Sequence, residues 1–338
     1  MAYTLKLNIY NFSLYRIVNA VERQMRGVVR TKYETEHDAT PFQEFAHCLN
    51  PNVNRDSFLP LIFQNLVSFF DSQFKVNDEG TKAVSITSDI QPTFGTLGYT
   101  INGMFKGGDT GIGRTIYSQR NALQPGTRIS NTDVPVNNYF YKLWLPFDSD
   151  DGVLMIQSYT DMGCTATFRD QIEQFFISKG FRPQWNAMIP SGIIDQYLDR
   201  SFINEIKVVY ASEQRQEMGI FSSMSNVQKE SRLKNLHISF RQLLGLDNYQ
   251  QALKDKIMEF VDYNQERDMA KVFYIDENGK RASASINNIE QVLPSIILPD
   301  NLKNPATDEP VLADISRYTD GILDQIKRQM NYTIDELV

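Results

Sequence analysis

From about residue 84 to residue 160 the chain passes through AVSITSDI, GTLGYTINGMF, GRTIYSQ, NYFYKLWLPF and GVLMIQSYT, short β-rich runs separated by glycine or acidic turns. Connections this short join antiparallel neighbours, because a parallel pair needs a crossover long enough to hold a helix. The architecture is therefore confined to a mainly antiparallel or mixed sheet, and the amphipathic helices elsewhere must pack against it. DSFLPLIFQNLVSFFDSQFKV is one such helix, with Leu59, Ile62, Phe63, Leu66, Phe69 and Phe70 at helical spacing and Asp56 or Ser57 as its cap. TATFRDQIEQFFISKG is a second, starting near Thr165 or Thr167 and ending at Gly180, with Ile172, Phe175 and Phe176 on one face. VLADISRYTDGILDQIKRQM is a third, carrying Ile315, Tyr318, Ile322, Ile326 and Met330. At the N-terminus Leu5, Leu7 and Ile9 alternate with Lys6 and Asn8, the pattern of a half-buried strand and not of a signal peptide. The expected fold class is α+β.

A chain of 338 residues has room for two domains or one large one. The best linker is ASEQRQEMGIFSSMSNVQKES at 211–231, where apolar periodicity gives way to Ser, Gln and Met. The division is accordingly placed between an α+β domain at 1–215, containing the β-rich segment 84–160, and a helix-rich domain or subdomain at 216–338. In the first, PSGIIDQYLDRSF reads as a helix leading into the strand EIKVVYA. In the second, helical runs around 227–246 and 248–264 precede a hairpin at 271–286, KVFYIDENGKRASASI, turned by Asn278-Gly279.

Two cysteines, Cys48 and Cys164, make neither a disulfide framework nor a thiolate zinc site, so a cytoplasmic home without metal or cofactor is expected. No run reaches the roughly 18 apolar residues of a membrane span. The formal charge is −7. A dedicated nucleic-acid binder is typically basic overall, so any such binding here must be local and salt-sensitive.

Against that charge, RIVNAVERQMRGVVRTK at 16–32 is unusual. On a helix, Arg16, Arg23, Arg26 and Arg30 fall within an arc of about 80°, with Leu14, Ile17, Val18, Val21, Met25 and Val28 opposite. The expectation is an arginine-striped helix, followed by a loop with at most a short helix. Two readings stay open. The guanidinium groups pair with the protein's own carboxylates or face solvent, or they contact phosphate, which Arg grips bidentately. A second basic cluster, KESRLKNLHISFR at 229–241, holds Lys229, Arg232, Lys234 and Arg241, with His237 and Phe240 interleaved as they would be in a surface that stacks bases. Phe240 fits the core with Leu236 and Leu243 equally well.

Catalytic signatures are thin. FKGGDTGIGRT at 105–115 has its lysine before the glycines and a strand after them, so it reads as a hairpin tip and not a Walker loop. FDSDDG at 147–152 lacks calcium-loop spacing and reads as an acidic turn between strands. Glu205-Ile206-Lys207 would place a carboxylate and an amine on one strand face, the E-x-K half of a metal-dependent nuclease site, with Asp195 or Asp199 as the missing acid. Three histidines without ligand spacing give no zinc site.

The order strand, acidic turn, strand, small-residue turn, helix in YFYKLWLPFDSDDGVLMIQSYTDMGCTATFRDQI, together with KVFYIDENGKRASASI, resembles uncharacterised proteins encoded in bacterial anti-phage defence loci. That resemblance implies a bacterial setting and a defence role, and it carries over no catalytic residue. The leading expectation is an interaction protein engaging nucleic acid or another anionic partner through the four arginines. The rival is a structural or regulatory subunit that binds a protein partner or its own copies, and the third is the nuclease.

Overall fold

The computed structural model describes residues 3–25, 28–95, 98–116, 126–159, 163–188, 190, 202–210, 229–239, 269–275, 281–285 and 296–332. The chain divides into two compact units, Met1–Met188 with Ser295–Leu323, and Ile189–Pro294 with Asp324–Val338. The expected division at 215/216 falls inside the second unit, and the expected linker at 211–231 lies outside the described residues except for its last three positions, which belong to a strand. The helix expected at PSGIIDQYLDRSF lies outside them except for Pro190 and Phe202, the latter the first residue of a strand, and the helical run at 248–264 lies outside them entirely.

The strands of the first unit are β1 (Leu5–Met25), β2 (Val28–Thr35), β3 (Lys75–Val76), β4 (Lys82–Ser85), β5 (Thr93–Gly95), β6 (Thr100–Asp109), β7 (Arg114–Ile116), β8 (Thr127–Ile129), β9 (Asn137–Trp144), β10 (Asp151–Tyr159) and β11 (Phe181–Ala187). The second unit contributes β12 (Phe202–Tyr210), β13 (Lys229–Ser239), β14 (Met269–Ile275) and β15 (Arg281–Ser285), after which β16 (Ile296–Ile297) returns to the first. The helices are α1 (Phe42–Leu49), α2 (Arg55–Phe70), α3 (Thr165–Ser178) and α4 (Leu312–Gln329). Every described strand pairing is antiparallel. The class is α+β.

A ten-stranded sheet with the path β11-β1-β10-β9-β6-β4-β3 forms the body of the first unit, with β16 and β2 added to β1 and β5 to β6. Both faces of its centre are covered. Tyr139, Phe140, Tyr141, Lys142, Leu143 and Trp144 are all buried in succession along β9, which is the signature of a strand packed on both sides. On one face Phe105 and Tyr141 meet Phe168 of α3, Tyr139 stacks on Phe105, and Phe12 of β1 meets Phe42 of α1 and Phe176 of α3. On the other, Lys142 reaches Ser316 and Asp320 of α4, and the Asn138 amide donates to Glu309 at 3.0 Å. The apolar positions of β1 follow this exchange of neighbours, from Leu5, Leu7 and Ile9 on one parity to Phe12 and Leu14 on the other.

Local signals explain the helix ends. Asn54 caps α2: its side-chain oxygen accepts from the Ser57 N–H at 2.9 Å, and the Ser57 hydroxyl accepts from the Asn54 N–H at 3.1 Å. The cap is thus two residues earlier than Asp56 and three earlier than Ser57, the two expected. Past α3, Gly180 has φ +86°, the left-handed geometry expected of the residue that stops a helix.

The glycine run at 107–113 needs correction. Only its second half is a turn, with Gly111 at φ +86°. Gly107 and Gly108 lie inside β6, and a Cβ on Gly108 would stand 1.9 Å from the Pro135 carbonyl oxygen. Contact with neighbouring backbone, not turn geometry, demands glycine at 108. Gly108→Ala is expected to destabilise the first unit by about 1–3 kcal/mol, the usual cost of overpacking. Chemical denaturation checks this, and a midpoint equal to wild type would show that the backbone yields freely.

The second unit contains a four-stranded sheet in the order β13-β12-β14-β15. The hairpin expected at 271–286 is present as β14 and β15. The helix expected around 227–246 is not, because Lys229–Ser239 is strand β13, paired along β12. Among the described residues no helix is long and apolar enough to cross a membrane.

Candidate functional site

The arginine stripe does not lie on a helix. Residues 5–25 form one strand, and from Ile17 onward its partner is β2, with Ile17 opposite Thr35 and Met25 opposite Val28. The reason is legible afterwards in Ile17, Val18, Val21, Val28, Val29, Thr31 and Thr35, β-branched residues on both sides of Gly27. Seventeen residues can satisfy a helical wheel by chance, but the cross-strand pairing satisfies the backbone of both halves.

This correction breaks up the four arginines. Arg16 still belongs to the sheet, opposite Phe181 of β11, and its guanidinium lies 3.9 Å from Glu36, 3.6 Å from Glu44 and 5.2 Å from the centre of the Phe181 ring. It is neutralised internally. Arg23 and Arg30 are directly opposed across the ribbon. Arg26 lies outside the described residues.

Beyond Arg16 neither β10 nor β11 accompanies β1, so residues 17–35 are a two-stranded ribbon leaving the sheet. The nine residues from Ile17 to Met25, eight steps of about 3.4 Å, give it a reach of about 27 Å. Its flanks are in solvent: Val18 is 61% exposed, and Asn19, Ala20, Glu22, Thr31, Lys32 and Glu34 are exposed. An isolated ribbon is marginal in water. Here its base is tied by Ile17 N–H to the Gly180 carbonyl at 2.8 Å, by Glu36 N–H to the Arg16 carbonyl at 2.9 Å, and by the Arg182 guanidinium over the Tyr33 ring at 5.7 Å.

Alternation sorts the ribbon's charges. The pairs Asn19–Glu34, Val21–Lys32 and Arg23–Arg30 share one face, and Ala20–Tyr33, Glu22–Thr31 and Gln24–Val29 share the other. On the first face the acid sits at the base, where the Asn19 amide donates to Glu34 at 3.2 Å, and Arg23, Arg30 and Lys32 occupy the outer part. Lys32 escaped the sequence reading because a helical wheel turns it to the side away from the four arginines. The available signal was Gly27 between two β-branched runs.

Of the second cluster, Lys229, Arg232 and Lys234 lie on β13, an edge strand, opposite Tyr210, Lys207 and Glu205 respectively. Arg232 and Lys234 share a face, and Lys229 belongs to the other by alternation. Arg241 and Phe240 lie outside the described residues. Glu205 and Lys207 do share a strand face; Glu205 is buried and Lys207 half-buried. Asp195 and Asp199 lie outside the described residues, and among those described no cluster of three His, Cys, Asp or Glu could hold a metal.

Elsewhere a cavity of about 150 Å³ is bordered by Lys82, Asp109, Arg114, Tyr139 and Cys164. Lys82 and Asp109 pair at 3.0 Å. Burial pushes the Cys164 thiol and the Tyr139 phenol above their ordinary values, so neither is an activated nucleophile. His47 lies edge-on to Phe147, with ring centres 6.4 Å apart, as a packed aromatic. Comparison with family models, curated proteins and solved structures returns no match for this chain.

Proposed function

We propose that this protein binds duplex DNA through the β1–β2 ribbon. One observation carries the reading: the outer ribbon positions Arg23, Arg30 and Lys32 lie on one face, on an element that stands clear of the sheet. A two-stranded ribbon fits the B-form major groove, about 12 Å wide, whereas the deep, narrow major groove of A-form RNA does not admit it. The chain's net charge is −7, so binding through the arm is local and salt-sensitive. A cytoplasmic setting and a part in anti-phage defence belong to the same proposal; they rest on the sequence texture already described.

In fluorescence anisotropy with a 20-base-pair duplex, the Arg23→Ala, Arg30→Ala double variant should bind about tenfold more weakly at moderate salt. The slope of log affinity against log salt should fall by about 2, since each lost phosphate contact removes about 0.9. Affinity and slope both equal to wild type would sink the proposal.

The protein-partner reading is favoured by one feature, the exposure of Val18 at 61% and Val21 at 37% on the same ribbon. If the ribbon docks on another protein or a second copy, Val18→Glu will change the sedimentation behaviour of the complex and leave DNA binding untouched.

A further inference from the structure

Strand β2 has a partner on one edge. Among the described residues it pairs with β1 alone, and the Glu36 N–H points at that partner, donating to the Arg16 carbonyl at 2.9 Å. Backbone groups alternate in direction along a strand of an antiparallel pair, so Thr31, Tyr33 and Thr35 aim their N–H and C=O groups away from β1. Thr31, Lys32, Glu34 and Glu36 are exposed, and Tyr33 and Thr35 are half-buried. An edge of this kind is a template for another strand.

The sequence along this edge, RTKYETE at 30–36, identifies which strand, because its charges complement their own reversal about Tyr33. Two copies of β2 laid antiparallel with Tyr33 opposite Tyr33 put Lys32 opposite the partner's Glu34 and Thr31 opposite the partner's Thr35, and bring position 30, an arginine, opposite the partner's Glu36. The two-fold axis makes each of these pairs twice. The outward-aimed residues then oppose one another, the arrangement in which an antiparallel pair exchanges both hydrogen bonds. Moving the centre by one residue, the smallest slip that keeps those residues opposed, sets Lys32 on Lys32 or Glu34 on Glu34. Opposite charges facing across strands stabilise the pair and like charges destabilise it, so the charges select one register. The contacts already made are compatible with it. Glu34 accepts from Asn19 at 3.2 Å, and Glu36, 48% exposed, lies 3.9 Å from Arg16, both at the surface where such contacts contribute little and are readily shared.

We infer that two copies of this chain associate through their β2 edges, in the register centred on Tyr33, to form a four-stranded sheet β1-β2-β2-β1. The contact is isologous, so it closes at the dimer. The inference names the partner in the protein-binding reading and does not rest on the DNA reading. It is distinct from a contact through Val18, which lies on β1, and Val18→Glu should leave this dimer intact. Four strands span about 14 Å between their outer axes, more than the roughly 12 Å of the major groove, so the paired ribbon and the groove-bound ribbon exclude each other.

Sedimentation velocity of the full chain between about 1 and 100 µM, without nucleic acid, tests it, and the wild type should pass from monomer to dimer. Lys32→Glu and Glu34→Lys, each at an exposed position, should weaken self-association about tenfold or more, because both symmetry-related pairs become like-charged. An equimolar mixture of the two variants should recover the dimer, since in the mixed pair every charge faces its opposite again. Should either variant lose the wild-type melting curve, Thr31→Pro carries the test: it removes an amide aimed at the partner and none aimed at β1, and should leave a monomer. A wild type that stays monomeric throughout would overturn the inference. So would single variants that dimerise like the wild type, or a mixture of folded variants that does not recover, because the contact would then lie elsewhere. A dimer that binds no duplex keeps this inference and removes the DNA reading, and a monomer that binds duplex does the reverse.

Discussion

Phe168→Ala is expected to cost the first unit about 3–5 kcal/mol, the range for deleting a fully buried aromatic side chain. Phe168 has no exposed surface, and its ring stacks on Phe105 with centres 3.8 Å apart and planes within 8°, while Tyr141 leans on it at 5.3 Å. Phe105 in turn stacks on Tyr139 at 5.0 Å. Removing the ring therefore opens a hole between helix α3 and strands whose own rings are held by their neighbours and collapse poorly. For a unit of 150–250 residues the melting temperature should fall by roughly 10 °C. Phe168→Leu, which refills most of the volume, should recover more than half of the loss. Equal melting temperatures for wild type and the Ala variant would mean that the α3 contact contributes little to the fold.

The second large effect concerns the opposite face of the sheet. The Lys142 side chain is completely buried; its Nζ donates to the Ser316 carbonyl at 3.0 Å and pairs with the Asp320 carboxylate, which is itself 55% exposed. Asp320→Ala strips the counter-charge from an ammonium that stays inside, and should cost about 2–3 kcal/mol, below the 3–5 kcal/mol typical of a pair buried on both sides. Lys142→Met should cost much less. It replaces the buried cation by an apolar chain of similar length and leaves Asp320 at the surface, where water solvates it. The order of the two variants is the informative result, because a simple count of lost interactions makes Lys142→Met, which loses both the Ser316 and the Asp320 contact, the worse of the two. If Lys142→Met is the more damaging, the buried ammonium does more for the fold than its pairing with Asp320 accounts for.

The sequence by itself determined the elements whose partners are close in the chain or whose faces are single. Helix α3 with Gly180 beyond it, α2 apart from its cap, which is Asn54 and not the expected Asp56 or Ser57, the α4 stripe through Ile315, Ile322 and Ile326, the acidic turn between β9 and β10, and the β14–β15 hairpin all follow from short-range patterns of burial and turn chemistry. So did the antiparallel character of the sheet.

Tertiary structure alone decided three things. It chose strand over helix at residues 16–25, where the apolar positions satisfy both periods, because β2 offers hydrogen-bond partners for the backbone of Ile17–Met25. It made β9 a strand buried on both faces, placing Lys142 inside because Asp320, far along the chain, arrives on α4 to meet it. And it divided the arginines. Arg16 stays with the carboxylates Glu36 and Glu44 at the ribbon's base, while Arg23 and Arg30 come opposite each other, with Lys32 on the same face one step nearer the base. Spacing along a chain fixes which residues share a face only once the period is known. Here the period was set by a partner strand, which no single stretch of sequence contains.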